Sequence, residues 1–287
     1  SPLSSRPTYT ETENDLTVKA NKRTFIFSKK DGQLKGVSVD NRKINFANGP
    51  RFIGARRADR SLDQFYNHDD EKAKEKDRTY SEFPDAAVFT KLDVKEDGGN
   101  LVVTANYKLG NLDKAQWTIN PSGDLALDYT YNFSGVVDLM GIRFDYPEDQ
   151  VISKRWLGAG PYRVWQNRIH GTQYDVWEND YNDPIPGETF TYPEFKGYFG
   201  DVSWMNIQTK EGTISLTNET PDAYIGVYQP RDGRDRLLYT LPESGISVLN
   251  VIPPVRNKVN STDLCGPSSQ PKWVNGPQTG RVIFRFM

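Results

Sequence analysis

The stretch WLGAGPYRVWQNR, residues 156–168, gathers flat and hydrogen-bonding side chains around a Gly-Ala-Gly-Pro turn. A tight turn needs the glycines and the proline for its backbone angles. It does not need the aromatic rings of Trp156, Tyr162 and Trp165. Rigid rings beside amide and guanidinium groups could bind a flat ligand, and the alternative is that the same rings cap a hydrophobic core. The two interpretations differ in whether the rings are exposed.

Acid–base chemistry would need a general acid and a general base in one cleft. The sequence has two histidines, His68 within YNHDDE and His170 within RIHGTQ. A sugar epimerase of the galactose mutarotase type would need a histidine and a glutamate in its groove, and YNHDD shares only an Asn-His pair with the histidine motif of those enzymes. We therefore interpret both histidines as exposed polar residues.

Carboxylates and the single thiol give no stronger signal. Paired carboxylates could hydrolyse a glycoside, but no local sequence context singles out such a pair. The acidic stretch ENDYNDP offers Glu178, Asp180 and Asp183 as oxygen ligands, yet it lacks the glycine and the distal glutamate of a calcium loop, which favours a solvated loop. Cys265 is the only cysteine, which excludes an intramolecular disulfide and a CxxC site and favours a small buried residue. The sequence thus predicts no catalytic residue, no metal site and no cofactor in this chain.

Charge and hydropathy exclude two classes of partner. The 287 residues include 36 basic and 38 acidic side chains, and the net charge is −2. No basic stripe with interleaved aromatic residues is present, so nucleic acid is not an expected partner. No apolar run approaches the roughly 18 residues of a membrane-spanning helix, which predicts a soluble protein without a membrane partner. Residues 1–15 are polar and lack the order of a signal peptide, and we interpret them as a linker in a chain cut from a longer protein.

The elements that must position these residues are antiparallel strands. Apolar and polar residues alternate with a period of two in DLALDYTYNF (residues 124–133), AAVFTKLDV and NLVVTANYKL, while RTFIFS and QLKGVSV flank a turn. Only residues 60–80 could be helical, and their dense charge predicts a solvated helix or a mobile excursion. Many short strands without a break in composition predict one large sandwich of two sheets. Hairpin-type turn signals separate the strands at Asp31-Gly32, 96–100, 121–124, 210–212 and 231–235.

The opening stretch resembles part of the C-terminal small-chain domain of glycoside hydrolase family 2 β-galactosidases. In that family a strand ends in a Gly-x-Gly-Pro turn, and an aromatic- and amide-rich loop then closes on Asp-Arg. The matching residues here are Gly158, Gly160, Pro161 and Arg168, with Asn167 in place of the aspartate.

Three further segments match the same family in the same order. NGPRFIGARRAD, residues 48–59, is similar to a Gly-Pro segment that closes on Arg-Ala-Pro-x-Asp, without its last proline. PEFKGYFGDVSW, residues 193–204, matches a Pro-x-x-x-Gly-x-x-x-Asp-Val-x-Trp pattern, with Phe195-Lys196 in place of Glu-Asn. GPSSQPKWVNG, residues 266–276, lies where the family has a Gly-Gly-Asp-Asp-Ser-Trp loop, and Trp273 takes the place of its tryptophan. These departures mean that specificity for galactose does not follow from the resemblance.

The resemblance implies an all-β fold, a large antiparallel supersandwich of the galactose mutarotase-like type over residues 16–287. It also implies that the catalytic barrel, with its two glutamates, belongs to a part of the parent protein outside this chain, so no activity is expected from this chain alone. In the family this domain lends loops to the rim of the barrel's sugar pocket, and the terminal tryptophan can stack on a sugar. The predicted carbohydrate-binding residues are Trp273, Trp165, Tyr162, Arg163 and Arg168.

Two alternatives from other functional classes stay open at this point. One is a stand-alone sugar epimerase or lyase of the same fold that uses His68 or His170. The other is a lectin-like module that binds carbohydrate through Trp273, Trp165 and Tyr162. A barrel encoded upstream of this chain would favour the hydrolase domain over both. Enzymes of the resembling type are often exported to the periplasm or secreted, but the sequence itself does not determine the compartment of this chain.

Overall fold

The computed structural model describes residues 5–57, 80–180, 197–228, 241–254 and 267–287. Within these ranges the chain forms two large antiparallel sheets and a two-stranded ribbon. The helical elements among the described residues are short 3-10 turns. His68, Asp183, Cys265, the turn at 231–235 and all but the last residue of the 60–80 stretch lie outside the described residues.

The first sheet has ten strands, and it carries the surface on which the candidate site is built. Its strands are β1 (Thr8–Glu11), β2 (Asp15–Ala20), β3 (Arg23–Ser28), β4 (Leu34–Val39), β5 (Arg42–Ile44), β6 (Ala47–Arg57), β7 (Tyr80–Glu82), β13 (Leu139–Asp145), β18 (Tyr224–Val227) and β19 (Ile246–Val251). The main path runs β1-β2-β3-β4-β6-β13-β19-β18, with β5 paired to β4 and β7 paired to β6.

The second sheet has nine strands in the order β15-β14-β16-β17-β21-β11-β10-β9-β8. These strands are β8 (Val88–Asp97), β9 (Asn100–Lys108), β10 (Leu112–Ile119), β11 (Leu125–Asn132), β14 (Val151–Gly160), β15 (Gln173–Asp180), β16 (Trp204–Thr209), β17 (Gly212–Asn218) and β21 (Pro277–Phe286). The ribbon pairs β12 (Gly135–Val137) with β20 (Lys272–Val274).

The alternating segments form the predicted strands. In β11 the alternate residues Leu125, Leu127, Tyr129 and Tyr131 are all buried. The four predicted turns that lie in described residues each join two neighbouring strands of a sheet. β8 is the last strand of its sheet and most of its residues are exposed, while the alternating residues Leu92 and Val94 pack, partly buried, against the main core.

The predicted linker of residues 1–15 contains a strand. β1 pairs with β2 at the edge of the first sheet, and Asp15 begins β2. All four residues of β1 are exposed. An edge strand that buries neither face leaves no hydrophobic pattern in the sequence, which explains why these polar residues resembled a linker.

An aromatic cluster holds the two sheets together. Phe46 packs on Phe144 with ring centroids 4.7 Å apart and on Phe284 at 5.1 Å, and Phe144 meets Phe284 edge-to-face at 5.3 Å. Trp117 joins the same cluster from the second sheet and is fully buried. These rings combine large buried areas with favourable ring geometry, so they fix the spacing of the sheets.

A second, smaller core lies on the opposite face of the first sheet. Phe52 of β6 faces the main core, while its neighbours Ile53 and Ala55 belong to this smaller cluster. The cluster is completed by Tyr80, Leu139, Val164, Trp165, Tyr198, Leu241, Leu249 and Ile252. The 161–168 loop therefore covers the outer face of the first sheet.

Close packing accounts for the two glycines at the end of β14. A methyl group at Gly160 would lie 2.3 Å from the indole of Trp177, and one at Gly158 would lie 3.0 Å from the backbone oxygens of Gly200 and Asp201. Neither glycine has a positive φ, so the constraint is the space beside the strand rather than a left-handed backbone.

We predict that Gly160→Ala destabilises the fold by about 1–3 kcal/mol, because overpacking forces the Trp177 ring from its position. Chemical denaturation of both proteins measures the difference. Gly36→Ala is the matched control, since its methyl group would meet the Ile26 side chain at an ordinary 3.4 Å. Equal loss of stability in the two variants would contradict the packing argument.

Candidate functional site

The 161–168 loop is fixed by backbone hydrogen bonds to two distant segments. The Val164 N–H donates to the Tyr198 carbonyl at 2.7 Å, and the Tyr198 N–H donates back to the Val164 carbonyl at 2.9 Å. The Gln166 N–H donates to the Pro253 carbonyl at 3.0 Å. The loop is thus joined on both sides to segments that run along the first sheet, and its side chains have defined positions.

Trp165 is a core residue. It is 1% exposed and meets Tyr198 edge-to-face, with ring centroids 5.7 Å apart. Desolvation by burial raises the pKa of the Tyr198 phenol far above its ordinary value, so that the ring stays neutral. Trp156 is also fully buried and packs against Phe199. For these two tryptophans the core interpretation is correct, and neither ring offers a face to solvent.

Arg163 also lies in the interior. The residue is buried, and its guanidinium carbon lies 5.9 Å from the centre of the Phe199 ring. The ammonium group of buried Lys154 lies at the same distance from that ring. Phe199 thereby contributes a cation–π interaction to each of the two cations. Arg163 was predicted as a carbohydrate contact. The structure places its side chain in the interior of the protein, beneath the loop surface and beside Phe199.

Tyr162 and Arg168 are the predicted loop residues that reach the surface. The Tyr162 ring is 40% exposed, and Arg168 is exposed at the other end of the loop. The Arg168 N–H donates to the Trp165 carbonyl at 2.9 Å, which closes the turn that carries it. Buried Trp165 therefore anchors the segment between the exposed ring of Tyr162 and the exposed guanidinium of Arg168.

Trp273 is the most exposed aromatic ring of the candidate site, at 74%. It lies on β20, directly opposite Val136 of β12. Val137 is buried in the main core, so the alternation of side chains along β12 places Val136 on the other side, together with its cross-strand partner Trp273. The predicted exposure of Trp273 is confirmed, and its contact with a sugar stays a prediction.

Gln166 connects the loop to the segment that leads into β20. Its buried side-chain Nε2 donates to the carbonyls of Ser268, at 2.8 Å, and Gln270, at 2.6 Å. The structure thereby brings the Trp273 segment and the 161–168 loop to the same part of the surface. Sequence reasoning missed this role, because the partners are backbone carbonyls more than 100 residues away.

A buried pair of charged residues lies at the end of β6, beside the ribbon. The Arg57 N–H donates to Oδ2 of Asp138 at 2.8 Å, and the Asp138 N–H donates to the Ala55 carbonyl at 2.9 Å. Asp138 directly follows β12, the strand that pairs with the Trp273 strand. We call the exposed residues Trp273, Tyr162 and Arg168, with the buried Arg57 and Asp138, the β6-end site.

The other candidate residues are scattered on the surface. His170 is exposed after the loop, and Glu178 and Asp180 are exposed on β15. Among the residues that the structure describes, no group of three or more His, Cys, Asp and Glu side chains is arranged to hold a metal ion. The same residues form no helix that is both long enough and apolar enough to cross a membrane.

Comparison with solved structures identifies the fold. Galactose 1-epimerase from Lactobacillus acidophilus NCFM is similar with a TM-score of 0.52 at 9% identity, over 99% of each chain. A GalM/aldose epimerase homologue from C. elegans has a TM-score of 0.42 at 8% identity, covering 98% of this chain and 99% of that one. The epimerase confirms the predicted galactose mutarotase-like, all-β fold.

Comparison with family models identifies the family of the chain, whereas the solved structures identify its fold. No curated protein matches the sequence. A family model described as the β-galactosidase small chain matches residues 19–257, which is most of the chain and includes three of the four segments that carry the resemblance. The chain therefore belongs to the β-galactosidase small-chain family.

Proposed function

We propose that this chain is the non-catalytic C-terminal domain of a family 2 glycoside hydrolase and that it contributes the β6-end site to carbohydrate binding. The observation that carries the proposal is the position of Trp273, a large apolar ring held open to solvent on a paired strand. Isolated exposed apolar residues are common on proteins, but this one lies on a ribbon that Gln166 connects to a second loop with an exposed tyrosine.

Stacking on a sugar gives the exposed indole a defined use. Sugar rings present apolar C–H faces, and a tryptophan provides a rigid flat partner for them. Covering roughly 80 Å² of apolar surface at about 25 cal/mol per Å² contributes about 2 kcal/mol. That free energy corresponds to roughly 30-fold in affinity, which strengthens a pocket but does not form one alone. The isolated chain should accordingly bind monosaccharides at millimolar strength or more weakly.

The five predicted contact residues divide into two groups in this proposal. Trp273, Tyr162 and Arg168 face the carbohydrate, and their exposure supports that role. Trp165 and Arg163 are buried, and they support the loop that presents the others. Membership of the small-chain family supports a catalytic partner, to which the proposal assigns the carboxylates that cleave the glycosidic bond.

We predict that Trp273→Ala, in the complete enzyme, raises KM about 10- to 30-fold with little change in kcat, because the lost stacking stabilises substrate and transition state alike. The melting temperature should hardly change, since the ring is exposed. Steady-state kinetics and thermal denaturation measure both effects.

Two controls separate sugar contact from support of the fold. Tyr9→Ala removes an exposed ring on β1, at the far edge of the first sheet, and should change neither quantity. Trp165→Ala should cost about 3–5 kcal/mol of stability, because it opens a cavity in the smaller core. An unchanged KM for Trp273→Ala, or a large fall in its melting temperature, would refute the proposed contact.

We also predict that the purified chain does not hydrolyse aryl β-galactosides. The physical reason is that the proposal places both catalytic carboxylates on the partner barrel. A chromogenic assay of the chain alone should match the buffer rate, and adding the catalytic domain should produce turnover. Hydrolysis by the chain alone that disappears when one of its own carboxylates is replaced would contradict the assignment.

A further inference from the structure

The ribbon of β12 and β20 continues one strand pair of the second sheet after a break on both strands. The pairing of β11 with β21 extends to Asn132, and the pairing of β12 with β20 starts at Gly135. The residues between the two ladders are 133–134 on one segment and 275–276 on the other. We call these four residues the ribbon hinge.

Two glycines allow the backbone to bend where the ribbon meets the sheet. Gly276, in the hinge, has a φ of 88°, and Gly135, at the start of β12, has a φ of 144°. Glycine adopts such positive values at little steric cost. A methyl group on Gly276 would meet open space, so backbone conformation rather than packing requires glycine there. The direction of the ribbon therefore depends on the contacts that hold the hinge.

The hinge segment that leads into β12 is anchored by apolar contacts. The Phe133 ring stacks on Phe83, with ring centroids 5.3 Å apart, and on Phe52 at 6.0 Å. At the other end of β12, Val137 is buried in the main core. Apolar packing thus fixes β12 from both ends, and β12 is the strand on which β20 and its indole rest.

The side chain of Ser134 ties the second hinge segment to this anchored one. Its hydroxyl donates to Oδ1 of Asn275 at 3.0 Å and accepts the Gly276 N–H at 3.1 Å. The backbone hydrogen bond across the hinge, from the Phe133 N–H to the Gly276 carbonyl, is longer, at 3.4 Å. One hydroxyl therefore binds both residues of the opposite segment, beginning two positions after Trp273.

We infer that Ser134 is a positioning residue for Trp273, because it fixes the ribbon hinge and with it the orientation in which the indole meets a sugar. Gln166 holds the segment that enters β20, and Ser134 holds the point at which the chain leaves β20. The inference rests on the proposed carbohydrate-binding role and adds how the exposed ring is preorganised. A side chain that is ordered before binding loses less conformational entropy when the ligand binds, which favours affinity.

Steady-state kinetics of the complete enzyme with a chromogenic β-galactoside test this role. Ser134→Ala should raise KM about 3- to 10-fold with kcat unchanged, because ordering a loosened ring weakens the binding of substrate and transition state alike. Ser134→Thr keeps the hydroxyl at an exposed position and should keep the wild-type KM. Ser122→Ala is the matched control, since it removes an exposed hydroxyl from the turn at the other end of β11.

A double substitution shows whether Ser134 acts through the indole. In the Trp273→Ala background, Ser134→Ala should change KM by less than about twofold, because the ring that it positions is absent. Increases in KM that multiply in the double variant would show that Ser134 affects binding by another route and would overturn the inference.

Fluorine NMR of the chain labelled with fluorotryptophan observes the ring directly. The resonance that is lost in Trp273→Phe identifies the exposed indole. In Ser134→Ala this resonance should move toward that of free fluorotryptophan, while the resonances of buried Trp117 and Trp156 stay in place. An unchanged Trp273 resonance would contradict the inference. So would a large fall in melting temperature with movement of the buried resonances, since that result would show a general structural role.

The kinetic outcomes separate this inference from the proposed function. A raised KM in Trp273→Ala with an unchanged KM in Ser134→Ala would overturn the positioning role and leave the carbohydrate site in place. An unchanged KM in both variants would overturn the proposed sugar contact and the positioning role that depends on it. A raised KM in both, restored by Ser134→Thr, would support the inference.

Discussion

Burial of Trp165 against the outer face of the first sheet is the interaction on which the arrangement of the site depends. A sheet packed on one side leaves its other face to water, yet here Ile53 and Ala55 of β6 are fully buried on that second face. Trp165 and Tyr198 supply the apolar cover, and the loop that carries Trp165 is thereby held on the sheet. Without this smaller core, the exposed residues on either side of Trp165 would have no fixed position.

The smaller core also fixes the position of the Gln166 side-chain amide. Gln166 follows Trp165 directly, so anchoring the ring delivers the amide to the carbonyls of Ser268 and Gln270. Because the segment at 268–270 leads into β20, this contact positions the ribbon and with it Trp273. An apolar contact thus fixes a hydrogen bond, and the hydrogen bond fixes an exposed aromatic ring. The hydrogen bonds of Gln166 thus hold the short β12–β20 ribbon in place, with the indole of Trp273 exposed to solvent.

The sequence predicted the sheets better than it predicted the site. Alternation along β11 and the glycine turns between strands depend on local chemistry, and both appear in the fold as expected. The different exposures of Trp165 and Trp273 cannot be predicted locally, because both residues lie in segments that contain glycine and proline and their burial depends on distant partners. Trp165 is buried in a cluster whose other members come from distant segments of the chain, which no local pattern shows, whereas Trp273 lies exposed on a two-stranded ribbon. Arg57 was missed for the same reason, since its burial depends on the strand neighbours that surround it.

The register of β6 connects the main core, the smaller core and the buried arginine. Successive residues of a strand point to opposite faces, so placing Phe52 in the main core obliges Ile53, Ala55 and Arg57 to share the outer face. A slip of one residue would turn Phe52 out of the main core and turn Arg57 toward it, which specifies the register strongly. The arginine is therefore carried to a buried position by the same alternation that builds the two cores. Folding of the cores supplies the free energy that holds this charged residue in the interior.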